Sequence, residues 1–333
     1  MTATRVVAFG GGHGLSASLR ALRHCAPELD LDLTAVVTVG DDGGSSGRLR
    51  AERGGLPPGD LRQALVALAG DHPATQRSAG LFQHRFAAVP SPPAVIGTRE
   101  PAPVGRLTGH AVGNLVLCGL MELLGDPVLA LEHAGAMLGA VGRVLPMSCE
   151  PVGIEARVRG TNSGRPNEVV TVTGQHQVAV TAGRVESLRL NPDAPEACPQ
   201  AIAAIGAADW LVFGPGSWYT SVLPHLLVPE LAAAIVASPA RRLVTLNLAA
   251  EKETFGLSVA DHLAELRWYL PKLRVDRVLG DARAVGDPAP VERAAELLGA
   301  RLVLAPVGAT DGTPRHDSAA LGAALVPVLG AAR

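Results

Sequence analysis

VVAFGGGHGLSASL, residues 6–19, is the stretch whose reading decides the fold. Four apolar residues, Val6 to Phe9, run directly into Gly10-Gly11-Gly12-His13-Gly14. Leu15, Leu19 and Leu22 then recur at helical spacing, with Ser16 near the helix start. A short apolar strand, a glycine turn and an amphipathic helix make the first half of a βαβ unit. A second apolar run, Leu33 to Val39, completes it, so the crossover is expected to be right-handed.

The α/β rhythm continues outward. Leu61 to Ala69 has helical spacing, and a further helix is expected from Asn114 (NLVLCGLMELL). Residues 86–106 are rich in Pro and Ala and lack periodicity, which predicts a surface loop able to act as a lid. Over residues 150–192 the pattern changes. VGIEARVRG, EVVTVTG, QVAVTAG and RVESLRL are short alternating runs separated by turn residues, the pattern of antiparallel strands in a small inserted β subdomain. Strands are then expected at Trp210–Phe213, Leu243–Leu248, Val275–Leu279 and Leu302–Leu304, and a closing helix at Ser318–Leu329. The expectation is one α/β domain over residues 1–333, with a parallel sheet and this one insertion.

Composition narrows the function classes. Hydrophobic residues make up 47% and aromatics only 3%, which suits helices packed on a Val/Leu-rich parallel sheet. The formal net charge of -2 argues against a broad basic surface for nucleic acid. Cys25, Cys118, Cys149 and Cys198 lie far apart without a CxxC pair, so neither a zinc site nor a disulfide framework is expected. MTATRVVAFGGG leads straight into a strand with no signal peptide, and no apolar run reaches the roughly 18 residues of a membrane span. The reading is a cytoplasmic protein without membrane insertion.

The polar, glycine-dense clusters follow the expected strands, where open α/β sheets bind ligands. Gly11, Gly12, His13, Gly14 and Ser16 follow the first, where glycine lets a backbone approach a phosphate at a helix N-terminus. The dinucleotide fingerprint is broken by Leu15 and no P-loop Gly-Lys-Ser/Thr follows, which disfavours a nicotinamide oxidoreductase; a ligand-free tight turn is the plain alternative. In DDGGSSGRLR, Asp41 and Asp42 can accept sugar hydroxyls or hold Mg2+. Gly43 and Gly44 permit an anion nest, Ser45 and Ser46 add hydroxyls, and Arg48 offers a bidentate phosphate partner. A solvated Asx turn explains fewer of these ten residues. Asp60 can cap a helix or meet a ligand, and Asn114 can cap the helix that follows GHAVGN. Gly214, Gly216, Ser217, Tyr219 and Thr220 repeat the strand–turn–helix logic, and Asn247 stands at the end of the next strand. Arg315 precedes the last helix, where Asp317 suits the helix dipole; Arg48 or Arg315 is expected to meet a diphosphate. His84 and His110 are the nearby candidate bases, and sequence gives neither a partner.

GGGHGLS (10–16), TVGDDGGSSGRLR (38–50), PPGDLRQ (57–63), LFQHRF (81–86), GHAVGN (109–114) and FGPGSWYTSVLPHLLV (213–228) together resemble the YvcK family of gluconeogenesis factors, a branch of the CofD-like superfamily. The resemblance runs from the first strand to the last helix. It implies a single CofD-like domain, a Rossmann-like three-layer fold and binding of UDP-sugars, notably UDP-N-acetylglucosamine, without an established reaction. It also implies a role in cell-envelope growth and cell shape on gluconeogenic carbon, with cell-envelope regulatory proteins as partners, and it leaves a homodimer open. No cofactor is required on this reading. The superfamily's transferases move a phospholactyl group from a nucleotide carrier to a deazaflavin with a divalent metal; by that analogy Asp41 and Asp42 would hold Mg2+. The chain departs from the pattern at His13 (usually Thr), at Gln63 (usually Asn) and at Glu251-Lys252-Glu253-Thr254, where the family commonly has Pro-Gly-Glu-Thr.

Overall fold

The computed structural model describes residues 3–88, 105–162, 164–254 and 256–331; most of the expected 86–106 loop, residues 89–104, lies outside them. Among the described residues ten strands form, in chain order β1 (Thr4–Gly10), β2 (Leu31–Val37), β3 (Gly142–Pro146), β4 (Gly153–Arg159), β5 (Val169–Thr173), β6 (Arg184–Asn191), β7 (Trp210–Phe213), β8 (Arg241–Thr245), β9 (Arg277–Asp281) and β10 (Arg301–Ala305). Seven of them make one sheet in the order β10-β9-β8-β7-β1-β2-β3, and every pairing in it is parallel. The other three make the separate antiparallel sheet β5-β4-β6. Parallel strands covered on both faces must be apolar throughout, and Val6 to Phe9 and Trp210 to Phe213 are all buried. The edge strand β10 is only partly covered.

Five helices surround the first strand ends: α1 (Gly12–His24), α2 (Gly44–Arg53), α3 (Pro58–Ala67), α4 (Pro73–Gln83) and α5 (Val112–Leu124). Helix α1 packs against α3 and the closing helix Ser318–Leu329, while Pro199–Ala207 packs against Pro229–Ala237. Gly322 lets the closing helix approach α1, because a Cβ there would stand 2.7 Å from the His24 Cβ.

Several local expectations change. QVAVTAG is not a strand: Gly174, at φ +100°, ends β5, and Gln175–Val180 winds into a short helix that buries Val178. DDGGSSGRLR is less a turn than the approach to α2, which starts at Gly44 with Gly43 as its N-cap. Asp60 lies in the first turn of α3 behind Pro57, and Asn114 lies within α5 behind Ala111, so neither caps its helix. β3 and the helices opening at Pro73, Pro127, Pro199 and Pro229 have no counterpart in the sequence reading. Each of those four helices begins with Pro, whose missing N–H is harmless in a first turn.

Candidate functional site

From β1 the chain steps outward through β2 to β3, then returns to the other side of β1 and runs through β7 to β10. The direction of progress therefore reverses between β1 and β7, the place where an open α/β sheet leaves a crevice at its strand ends. Both glycine turns sit there. A Cβ on Gly14 would lie 2.3 Å from the Pro215 carbonyl oxygen and 2.5 Å from the Gly216 Cα, so the two loops meet backbone to backbone. Asn247 fixes the second loop. Its Oδ1 accepts from the Gly216 N–H and its Nδ2 donates to the Gly216 carbonyl, both at 2.9 Å. The chain then enters a π-helical turn, Trp218–Val222, whose Tyr219 N–H donates to Glu253 Oε1 at 2.9 Å.

This seam opens into a cleft of about 1100 Å³ lined by both turns, Asp41, Asp60, Gln63, the start of the Gln175–Val180 helix, Asn247 to Glu251 and the 309–319 segment. Of the expected residues, the cleft gathers Gly11, Gly12, His13, Gly14, Asp41, Asp60, Gly216, Ser217, Thr220, Asn247 and Arg315. Asp60 is buried on its floor, where its Oδ2 accepts from Thr38 Oγ1 at 3.2 Å. Burial, and then the charge of Asp41, push its carboxyl up to about 7. Gly11 has to be glycine against this pair, since a Cβ would fall 2.5 Å from both Asp60 Oδ2 and Thr38 Oγ1. Ser217 Oγ donates to Glu251 Oε2 at 2.5 Å. Glu253, buried just behind, is also pushed up to about 7, by burial first and then by Glu251. The Glu251–Thr254 stretch that departs from the family pattern thus holds the β7 turn in place.

Other expected residues go elsewhere. Asp42 is not part of the cleft lining. Its Oδ1 accepts from the His176 N–H at 2.8 Å and ties the inserted β subdomain to the loop after β2. Asp41 Oδ1 accepts from the Gly43 N–H at 3.0 Å, so the two carboxylates have different hydrogen-bond partners. Ser16 donates to the Gly12 carbonyl at 2.9 Å, inside α1. Gly214, at φ +69°, presents its carbonyl to Ser18 Oγ at 2.9 Å, and the Tyr219 side chain is buried in the core. Gly43, Gly44, Ser45, Ser46, Arg48 and Asn114 line a second, smaller hollow on the other side of Asp41.

Arg20, His24, Gln175, His176 and Asp311 line the cleft without having been singled out. For two of them a signal was available: His13, Ala17, Arg20 and His24 share one helical face, spaced four, three and four residues apart. Asp311 becomes visible only in the fold, where its Oδ2 accepts from Arg315 Nη2 at 2.9 Å and aims that guanidinium at the rim. For His110 the structure also supplies the partner that sequence lacks: Ser45 Oγ stands 2.9 Å from His110 Nδ1, and Asn114 Nδ2 donates to the same oxygen at 3.0 Å.

With this geometry in view, the comparisons with known proteins are direct. The family described as 2-phospho-L-lactate transferase CofD matches residues 6–298. The chain belongs to the CofD family. It is 48% identical over 324 residues to a putative gluconeogenesis factor of Mycobacterium tuberculosis, covering 96% of this chain and 89% of that protein. It is 34% identical over 300 residues to the gluconeogenesis factor of Bacillus subtilis, covering 90% and 84%. A crystal structure of a UPF0052-family protein from Bacillus halodurans superposes with TM-score 0.80 at 32% identity, over 98% of this chain and 100% of that one. Within the CofD family, the likeness to proteins named gluconeogenesis factor connects the chain with gluconeogenesis. Among the described residues no helix is long and apolar enough to cross a membrane.

Proposed function

We propose that the cleft binds a UDP-sugar, UDP-N-acetylglucosamine being the foremost candidate, and that the bound form acts as a cytoplasmic regulator of envelope synthesis and cell shape during gluconeogenic growth. The observation that carries the binding half is the seam between Gly14 and Pro215-Gly216. Two backbone turns and the start of α1 face one crevice at the switch point, in the position where α/β folds hold a nucleotide diphosphate. Asp41, Asn247 and Gln175 line the same cleft as partners for sugar or ribose hydroxyls, and Arg315 and Arg20 supply positive charge.

The second reading is a transferase of the 2-phospholactate type, favoured by the pairing of Asp41 with Asp60. Magnesium is commonly held by one or two carboxylates together with substrate phosphates, and Asp41 and Asp60, which line the same cleft, fit that donor set. Bound there, the ion would neutralise charge on a leaving phosphate. The chain's own part would be positioning: Thr38 orients Asp60, and Gly11 leaves room for it. An acceptor with its own hydroxyl needs no nucleophile from the protein.

Calorimetry with UDP-N-acetylglucosamine tests binding, with one site per chain expected. Following UMP release in cell extract with Mg2+ separates the two readings, because moving a phosphate-bearing group from a diphosphate donor breaks the P–O–P bond and leaves the nucleoside monophosphate. No release is expected; steady release that disappears in Asp41→Asn replaces the regulator with an enzyme.

A further inference from the structure

The hollow beside the cleft differs from it in chemistry. It has a volume of about 680 Å³, and its wall includes Arg48, Arg62 and Arg85 together with Ser45, Ser46 and Asn114. Arg62 is only 3% exposed, and its partners are neutral amides: Nε donates to Asn114 Oδ1 at 2.7 Å, and Nη1 donates to Gln83 Oε1. Arg48 and Arg85 are exposed and donate to main-chain carbonyls, of Thr108 at 2.9 Å and of Gly109 at 3.0 Å. Among the described residues, none of the three takes part in a salt bridge. A buried guanidinium is ordinarily matched by a carboxylate, because a charge taken out of water is costly unless paired. Burial and the neighbouring Arg85 charge lower Arg62 to about 10, with Asp60 and Asp41 offsetting part of that.

The donors around the hollow are also in excess. α2 begins at Gly44, so its first main-chain N–H groups have no partner within the helix, and Gly44, Ser45 and Ser46 line the hollow. Ser45 Oγ already meets His110, but three guanidiniums, the Ser46 hydroxyl and a helix start still exceed what one carboxylate with two oxygens can satisfy. They match a phosphoryl dianion with three. The volume leaves room for a small organic group on that phosphate. Asp41, Gln63 and His176 line both spaces, so an occupant here would lie next to an occupant of the cleft.

We infer that this hollow is a second ligand compartment that takes a small phosphate monoester, separate from the cleft at the β1–β7 switch point. The inference stands on the hollow's own residues and holds whichever ligand the cleft takes. It also assigns Arg48 to this second ligand rather than to the diphosphate of a nucleotide in the cleft.

The test titrates glycerol 3-phosphate and, separately, inorganic phosphate into the full-length protein by calorimetry. The same titrations are run on Arg48→Ala and Arg85→Ala, whose exposed side chains can be removed without opening the core. One saturable site per chain is expected, weakened roughly ten- to a hundred-fold in each variant, as loss of a charge-assisted hydrogen bond predicts. Tighter binding of the ester than of phosphate identifies a monoester; equal binding identifies free phosphate as the occupant. A third arm adds UDP-N-acetylglucosamine to the phosphate-loaded protein. Independent occupancy, with the variants leaving the nucleotide-sugar affinity within about two-fold, supports two compartments. Competitive displacement overturns the inference, because the hollow would then be part of the nucleotide site. Absence of saturable binding, or affinity unchanged in both variants, overturns it as well. If the nucleotide sugar does not bind at all, the first two arms still decide, so failure of the cleft reading and failure of this one remain distinguishable.

Discussion

The cleft and the arginine-lined hollow share a wall at Asp41 and are built in opposite ways. The cleft is shaped by main chain: glycines bring loops into contact, and the buried ionisable groups on its floor and behind its β7 turn are the carboxyls of Asp60 and Glu253. The hollow is shaped by long side chains, and its buried charge is the guanidinium of Arg62. A backbone-built site depends on the absence of side chains, so it should fail abruptly when one methyl is added. A side-chain-built site should degrade one contact at a time. That contrast can be broken or sharpened by mutation.

The largest effect is expected at Gly14. Gly14→Ala drives a Cβ into the Pro215 carbonyl and the Gly216 Cα, both main-chain atoms that cannot rotate away. The loops must separate, at a cost of about 3 kcal/mol in stability by the measure of overpacked cores, and nucleotide-sugar binding should be lost. Gly80→Ala is the control. Nothing lies within 4 Å of its Cβ in α4, and alanine there should stabilise by up to about 1 kcal/mol. Chemical denaturation of the two variants checks both, and equal stabilities would show that the seam is not closely packed.

The next effect concerns the carboxyl on the cleft floor. Asp60 titrates at about 7 in the folded chain, above its ordinary value of 3.8. Between those limits the folded protein keeps a proton that the unfolded chain releases, so stability falls as pH rises from about 4 to about 7 and then levels off. Glu253, raised to about 7, acts in the same direction. Asp60→Asn removes one of the two contributions. Its stability relative to the parent protein should therefore rise by about 2 kcal/mol between pH 4 and pH 8, an allowance below the full linkage value because buried groups relax. Parallel pH profiles for the two proteins would contradict the burial of Asp60 on the cleft floor.

Asp42 probes the contact between the main sheet and the insertion. In Asp42→Ala the His176 N–H loses its acceptor at the start of the Gln175–Val180 helix, which by analogy with a lost helix cap costs about 1 kcal/mol. Hydrogen exchange should quicken in residues 174–180 and stay unchanged in β1 and β7. Uniform exchange across the chain would show that Asp42 is not the tie.

How much of this was legible follows from what each feature depends on. β1, β7 and the closing helix Ser318–Leu329 are local: buried apolar runs and helical spacing fix them, and they lie where the sequence places them. The antiparallel insertion was visible from alternation, but Gln175–Val180 was not, because QVAV alternates like a strand while Gly174 turns the chain. Glycine spacing pointed to the strand-end cluster. It could not separate Asp41 from Asp42, because the partner that claims Asp42 is His176, 134 residues away. Ser45, Arg48 and Asn114 line the hollow and not the cleft for a similar reason: adjacency after a strand does not determine on which side of Asp41 a residue ends up. Cys149 and Cys198, far apart in sequence, likewise meet thiol to thiol in the fold.

The smallest expected change in stability is at Arg315, and it separates two roles that the other variants leave joined. Its guanidinium pairs with Asp311 at 2.9 Å, with both side chains largely in water, and such pairs contribute about 0–1 kcal/mol. Arg315→Ala should therefore leave the unfolding midpoint nearly unchanged. If Arg315 meets the ligand's diphosphate at the cleft rim, the same substitution removes a charge-assisted bond and weakens UDP-N-acetylglucosamine roughly ten- to a hundred-fold. Arg315→Lys keeps the charge but loses the bidentate fork, and should fall between the two. Asp311→Asn supplies the remaining arm: it frees the guanidinium without removing it, so affinity should fall by less than in Arg315→Ala. An Arg315→Ala protein that binds as tightly as the parent would place the diphosphate deeper, on the main-chain N–H groups of the Gly11–Gly14 turn, and would make the cleft a site built by main chain alone.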